Sequence, residues 1–311
     1  MVISKKQELI SPDPGPGSVQ HPNKWRRWII GILLFILLIY VLICAAYALM
    51  QRSMIFAGAQ TQGASWAQVQ VAAPAQLIHL SLKDGTPIVG IYSPAGEAPS
   101  TSGPTAASMP PTVLFFYGNG GCIADCGDII DILCNRLGCN VLVVDYPGYG
   151  MSGGRPSETG CYAAADAGLD WLLAKRDIDH RRIVYFGDSL GAAVAIDLAS
   201  RRPAGGLVTC GAFTSMQSEA QHLYPWLPTS IILAYRFDNL SKIRKITCPI
   251  LLIHGEQDTL IPGSMARDLA AAAGNAQLIF IPGDHNSVMS RSSLLWDCIG
   301  TFLTNSLHPS K

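Results

Sequence analysis

The stretch Ile183-Val184-Tyr185-Phe186-Gly187-Asp188-Ser189-Leu190-Gly191-Ala192-Ala193-Val194-Ala195-Ile196-Asp197-Leu198 carries two opposed preferences. Its first four residues are β-branched or aromatic and suit a buried strand. From Ser189 onward the residues are small or straight-chained and suit a helix. Gly187-Asp188-Ser189-Leu190-Gly191 stands between them, so the chain must turn sharply there. Gly187 and Gly191 lack the Cβ atoms that would collide where strand and helix converge. Ser189 is placed at the tip of the turn, beside the unpaired N–H groups of a helix N-terminus.

Strand and helix signals alternate on both sides of this turn. The pattern predicts strands over Leu77–Leu82 and Ile88–Tyr92, joined at Asp84-Gly85, then Val113–Phe116, Val141–Asp145, Ile183–Phe186, Leu207–Ala212, Ile250–His254 and Gln277–Ile281. Helices are expected over Ile123–Leu137, Glu158–Lys175, Ser264–Ala273 and near Ser293–Asn305, besides the one that follows Ser189. The alternation implies βαβ units, a mostly parallel central sheet and helices on both of its faces. Residues 57–75 are rich in Ala, Gln and Ser, and residues 94–111 in Pro, Ser, Thr and Ala; they read as a linker and an exposed loop.

Parallel sheets hold their chemistry at the carboxyl ends of the strands. His254-Gly255-Glu256-Gln257-Asp258 follows one late strand, and Gly283-Asp284-His285-Asn286 follows the next. Ser189, Asp258 and His285 therefore occur in the order Ser…Asp…His. A lone serine hydroxyl is a poor nucleophile. His285 would take its proton, and Asp258 would fix the imidazole tautomer. Glu256 and Asp284 compete with Asp258 for that role, while His254 is expected to be structural. Asp145 is expected to hold the Tyr146–Gly150 turn, and Asp188 to be either a solvated turn residue or a charge that discourages anionic groups near the nucleophile. An oxyanion hole requires two N–H donors. Leu190 supplies one, and the second is assigned to Asn119 within Tyr117-Gly118-Asn119-Gly120-Gly121. Read as a phosphate cradle, that loop lacks the Lys-Ser/Thr of a P-loop and the spacing of G-x-G-x-x-G.

These motifs together resemble those of α/β-hydrolases of the Bem46-like group, related to the ABHD serine hydrolases. The resemblance covers about residues 75–305. Besides the turn around Ser189, it rests on Phe116–Gly121, Asp145–Gly154 with Pro156-Ser157-Glu158, Phe213-Thr214-Ser215, Arg236-Phe237-Asp238, His254–Asp258 and Gly283–Asn286. It implies the α/β-hydrolase fold and places that family's triad on Ser189, Asp258 and His285. Many relatives carry an N-terminal membrane anchor. Tyr117 stands where a histidine is common, and Pro147 where an arginine is.

Charge and hydropathy set the remaining bounds. Lys+Arg and Asp+Glu each number 22 in 311 residues, so no basic excess points to nucleic acid. Ile29–Met50 is a run of 22 uncharged residues, roughly 33 Å long as a helix and enough to cross a hydrocarbon core of about 30 Å. Lys5, Lys6, Lys24, Arg26 and Arg27 precede it, while only Arg52 follows closely. The positive-inside rule then puts a disordered 1–24 tail in the cytoplasm and the large domain on the extracytoplasmic side of a single-pass membrane protein. Ala46-Tyr47-Ala48 would also fit a signal-peptide cleavage site, but the apolar run exceeds the usual ~7–15-residue signal core. The organisation expected is therefore a tail at 1–24, an anchor at 25–50, a linker at 51–74 and a hydrolase domain at 75–311. A small cap is expected at about 215–245, over the serine.

Trp226, Leu227, Ile231, Ile232, Leu233 and Tyr235 make that cap apolar, which suits a lipophilic acyl group. Arg236 is a candidate for a carboxylate or phosphate head group. The nine cysteines include no zinc spacing, and buried free thiols are expected, with Cys134–Cys139 the leading candidate for a bridge. No cofactor or metal is called for, and the partners expected are a small-molecule ester or lipid and the membrane. The activity expected is carboxylic ester or thioester hydrolysis. An oligopeptidase-like peptidase and a non-catalytic binding protein on the same fold are the alternatives.

Overall fold

Strands dominated by Val, Ile, Leu and Phe have no continuous polar face and are stable only when covered on both sides. Such strands occur in the computed structural model, which describes residues 24–96, 109–291 and 293–307. Among them are β3 (Thr112–Phe116), β4 (Asn140–Val144) and β6 (Gly206–Cys210), each buried along its whole length. With β1 (Gln76–Ser81), β2 (Pro87–Ser93), β5 (Ile183–Asp188), β7 (Ile250–Gly255) and β8 (Ala276–Ile281) they form one eight-stranded sheet, in the order β1-β2-β4-β3-β5-β6-β7-β8. β1 and β2 pair antiparallel at one edge, and every pair from β4 to β8 is parallel. The strands match the expected runs to within two residues. The 1–24 tail, apart from Lys24, and residues 97–108 of the expected 94–111 loop lie outside the described residues.

The chain visits β3, crosses to β4 on one side, and then returns to β5 on the other. Loops after β3 and β5 thus leave in opposite directions and open a crevice between them, the place where open α/β sheets bind ligands. Asn119 follows β3, and Ser189 follows β5.

Helices cover the sheet. α1 is Lys24–Ile55, α2 Gly127–Asp131, α3 Glu158–Leu173, α4 Leu190–Arg201, α5 Met216–Leu223, α6 Thr229–Ile232, α7 Asn239–Ile243, α8 Gly263–Ala273, α9 Ser287–Arg291 and α10 Ser293–Leu307. α3, α4, α7 and α8 pack side by side in a row. α10 packs on β6 and β7 and is tied to the end of the 123–136 segment by the Arg136–Asp297 ion pair at 2.6 Å. That segment was expected to be one helix. It is instead a 3-10 turn (Ile123–Cys126), then α2, then a π turn (Ile132–Arg136). Its start is bent by Asp125, whose carboxylate accepts from Cys122 N at 3.0 Å. At its end, Leu137 N reaches back five residues to Ile132 O.

Glu158 links two segments distant in sequence. Ser157 Oγ caps α3 by accepting from Gly160 N. The Glu158 carboxylate accepts from Arg236 N at 2.6 Å and from Phe237 N at 2.9 Å. Phe237 has φ +40°, a costly conformation for a bulky residue, and the two charge-assisted bonds hold it there.

The chain divides into two compact units, one ending at Ala45 and the other starting at Ala46. Within the first, α1 is apolar all round, and side chains such as Trp28, Leu34 and Phe35 are exposed, the pattern of a helix long and apolar enough to cross a membrane. The last turns of α1 belong to the second unit. There Tyr47 packs edge-on against Tyr224 and Trp226, at 5.3 and 5.7 Å between ring centres. Gln51 Nε2 donates to Ile232 O, and Gln51 Oε1 accepts from Ala234 N at 2.7 Å. Arg52 Nε donates to the Tyr235 hydroxyl at 2.9 Å. Phe56 is fully buried against Tyr235 and Phe237. The stretch expected as a 51–74 linker carries 3-10 turns at Ala57–Thr61 and Ser65–Ala67, and buried Thr61 Oγ1 accepts from Gly150 N at 2.8 Å.

Burying Phe56 couples the end of α1 to the large unit. Phe56→Ala is expected to cost about 3–5 kcal/mol, read as a lower denaturant midpoint of the full chain in micelles. An unchanged midpoint would show that this helix end is not docked.

Candidate active site

The turn after β5 is as tight as its sequence demands. Ser189 has φ +52° and ψ −113°, far from the regions ordinary residues prefer. A Cβ on Gly187 would collide with the Gly191 carbonyl, and one on Gly191 with the Phe116 carbonyl. Only glycine fits at either position, and their closeness holds Ser189 in its strained conformation.

His285 Nε2 lies 3.0 Å from Ser189 Oγ, and His285 Nδ1 lies 2.7 Å from Asp258 Oδ2. With its proton on Nδ1, the ring donates to Asp258 and accepts from the serine hydroxyl. The other Asp258 oxygen accepts from Leu260 N and Ile261 N, at 3.0 and 2.9 Å, which fixes the carboxylate plane. Glu256 is exposed, and Asp284 Oδ1 caps the turn before α9 by accepting from Asn286 N and Ser287 N. His254 is fully buried, with Nε2 2.9 Å from Ile261 O, in line with the structural role expected for it.

Electrostatics favour a charged ring at His285. Burial works against the imidazolium, but the hydrogen bond to Asp258 and the carboxylates of Asp258, Asp188 and Glu219 outweigh it, so the His285 pKa is raised. Burial also opposes the charged form of Asp258, yet its bonds to His285 and Ile261 N hold its pKa below the usual value. Asp188 is not a freely solvated turn residue, one of the two roles expected from sequence. Burial pushes its carboxyl up to about 6 despite the attraction of His285.

Within the described residues, no acceptor takes the N–H of Leu190 or of Asn119. Both residues line the same cavity as Ser189. The Asn119 side chain is committed elsewhere, donating to Ile55 O at the end of α1 at 3.0 Å. The loop carrying Asn119 is braced by Tyr117. Its hydroxyl donates to Asp145 Oδ1 at 2.9 Å and accepts from Tyr146 N at 3.2 Å. Asp145 is fully buried and accepts also from Ile123 N and Met151 N, so it holds more than the turn after it. Burial raises its pKa in spite of these donors.

The cavity beside Ser189 has a volume of about 250 Å³. Met216, Leu223, Leu227 and Leu233 of the cap line it, and so do Met54 and Ile55 of α1. Of the cap residues anticipated, Leu227, Ile232 and Leu233 line it, whereas Ile231 is 81% exposed. Arg236 is exposed and lies outside the cavity lining. The contribution of α1 was not read from sequence, although Tyr47, Gln51, Met54 and Ile55 recur at helical spacing on one face. Glu219 was also missed. All nine cysteines are free, Cys134 and Cys139 included, and burial pushes Cys139 up to about 12. Among the described residues no cluster is suited to a metal ion.

Comparison with known proteins bears on the fold and the family. Residues 111–232 match the model of the alpha/beta hydrolase fold, and residues 189–288 match that of a serine hydrolase family. An uncharacterized protein of Mycobacterium tuberculosis is 37% identical over 225 residues, 71% of this chain and 76% of that protein. The alpha/beta hydrolase domain-containing protein WAV2 of Arabidopsis thaliana is 36% identical over 188 residues, 55% of this chain and 61% of WAV2. An esterase of Pyrococcus furiosus superposes with a TM-score of 0.59 at 21% identity, covering 76% of this chain and 97% of the esterase, a likeness of fold.

The His285 titration tests the electrostatics directly. Its NMR midpoint is expected above the ordinary value of about 6.5. Asp258→Asn removes the main anion that stabilises the imidazolium, so the midpoint must fall. A midpoint unmoved by that change would dissociate Asp258 from the ring.

Proposed function

Because the chain belongs to the α/β-hydrolase superfamily, we propose that it is a serine hydrolase cleaving carboxylic esters or thioesters of lipophilic acyl groups. Within the superfamily we place it with the Bem46-like members, on the motifs quoted above. The observation that carries the reading is the continuous chain of hydrogen bonds Ser189–His285–Asp258, at 3.0 and 2.7 Å, opening onto an apolar cavity.

In the proposed mechanism Ser189 Oγ attacks the substrate carbonyl carbon and passes its proton to His285 Nε2. The carbonyl π electrons move to oxygen, and the N–H groups of Leu190 and Asn119 receive that oxyanion. Collapse of the tetrahedral adduct breaks the bond to the leaving alcohol or thiol, which takes the proton from His285. Water then attacks the acyl-enzyme, with His285 again as base, and the acid is released. Asp258 stabilises the imidazolium formed in each half. The raised pKa of His285 places the acid limb of kcat/KM above the ordinary histidine range, because only the neutral ring acts as base.

Residues 29–50 are proposed as an uncleaved anchor, with the N-terminus cytoplasmic and the hydrolase unit extracytoplasmic. Lys24, Arg26 and Arg27 ahead of the apolar run support the orientation. Tyr47 supports retention of the segment: it packs on Tyr224 and Trp226, and a cut after Ala48 would detach it. Protease added to intact spheroplasts is expected to digest the hydrolase unit. Full protection would reverse the orientation.

Ser189→Ala keeps a helix former at the turn and should leave stability nearly unchanged. Hydrolysis of short p-nitrophenyl esters should fall by several orders of magnitude, to at most a residual of roughly 10³–10⁴ over water. Fluorophosphonate labelling should vanish with it. A Ser189→Ala protein that still labels and still turns over at the wild-type rate would sink the assignment.

A further inference from the structure

One carboxylate in the cavity wall acts in the steps above only through its charge on His285. Glu219 lies on α5, on the face that presents Met216, Ala220 and Leu223 to the cavity. It is 8% exposed, and its Oε2 is buried without a hydrogen-bond partner among the described residues. An unsatisfied buried carboxyl is costly, and a packed core would replace it with an apolar side chain. The other polar side chains of the cavity wall are largely committed. Gln51 bonds to Ile232 O and Ala234 N, Asn119 to Ile55 O, and Thr229 Oγ1 to Gln221 Oε1. Ser189 faces His285. Among the described residues that line the cavity, Glu219 is the one with an ionisable carboxyl or a basic group.

We infer that Glu219 receives a hydroxyl carried by the alcohol portion of the substrate, so that the site selects esters of alcohols bearing a second hydroxyl. The inference rests on reading Ser189 as the nucleophile. Position decides which half of the substrate is read. Glu219 lines the same cavity as Ser189, whose Oγ lies 3.0 Å from His285 Nε2, and the Glu219 and His285 charges act on each other. His285 is the group that returns a proton to the leaving oxygen, so a side chain near it faces the alcohol and not the acyl tail. Chemistry decides the class. Burial pushes the Glu219 carboxyl up to about 7, with Asp258 adding to the rise and His285 opposing it. A carboxyl that is neutral part of the time near neutral pH both donates and accepts, as a hydroxyl does. An ammonium head would instead have to be desolvated with its counter-charge in an apolar cavity.

The test uses the full chain in detergent micelles and three butyrate esters of nearly equal reach: propyl, 2-hydroxyethyl and 2-(trimethylammonio)ethyl. The ratio of kcat/KM values within one preparation does not depend on its folded fraction. Wild type is expected to prefer the 2-hydroxyethyl ester over the propyl ester by roughly tenfold, the effect of one buried hydrogen bond. Glu219→Leu should collapse that ratio to about one, and Glu219→Gln, which still donates and accepts, should keep most of it. A ratio near one in wild type, or one that Glu219→Leu leaves in place, overturns the inference. So does a preference for the trimethylammonio ester. Loss of fluorophosphonate labelling and of turnover on all three esters in wild type would instead bring down the nucleophile reading, and this inference with it.

Discussion

The backbone of Ser189, held at φ +52°, is the constraint on which the site depends. No side chain imposes it. It follows from the carbonyls of Phe116 and Gly191 lying where Cβ atoms of residues 191 and 187 would otherwise sit. β3, β5 and α4 must therefore converge on glycine, and Leu190 and Asn119 line the same cavity as the serine. The cost of the strained residue is spread over the parallel sheet, whose central strands are buried on both faces.

Two carboxylates, Asp145 fully buried and Glu158 half-buried, keep the loops around this turn in place by accepting backbone N–H groups. Asp145 gathers Ile123 N, Met151 N and the Tyr117 hydroxyl, so the loop after β3, the segment before α2 and the turn after β4 share one anchor. Tyr117 reaches that anchor because its hydroxyl extends beyond where an imidazole nitrogen would end. Glu158 does the same for the Arg236–Phe237 backbone beneath the cap. Charge-assisted bonds to backbone N–H groups are strong and directional, and they are worth more inside than at the surface.

What was legible in the sequence was local. The eight strands and the position of Ser189 follow from side-chain period and turn chemistry, which act within a few residues of the chain. Asp258 and His285 could be assigned because strand ends are recognisable and chain order is informative. The features missed were those defined by distant neighbours. Glu219 lies in a mixed polar segment, Gln-Ser-Glu-Ala-Gln, that reads as a solvated helix. Nothing near it in sequence reveals that its face is turned inward. The docking of residues 46–56 was hidden for the opposite reason. Their apolar character merges with the run before them, and only the partners on the cap show where one role stops and the other starts. Residues 123–136 have helical composition, but the contacts that bend their start and tighten their end depend on Asp125 and on the way into β4.

Gln51 bonds to Ile232, 181 positions further along the chain, and Arg52 to Tyr235, 183 positions further. One wall of the cavity thus leaves the ribosome long before its counterpart. Closing so large a loop is entropically expensive and slow, because the contact is rewarded only after the sheet between the two ends has formed. The cavity is therefore among the last parts of the fold to be completed during synthesis. Until then the apolar end of α1 has no partner on its own domain, and the nascent chain carries a strand-turn-serine unit that is formed but not yet enclosed.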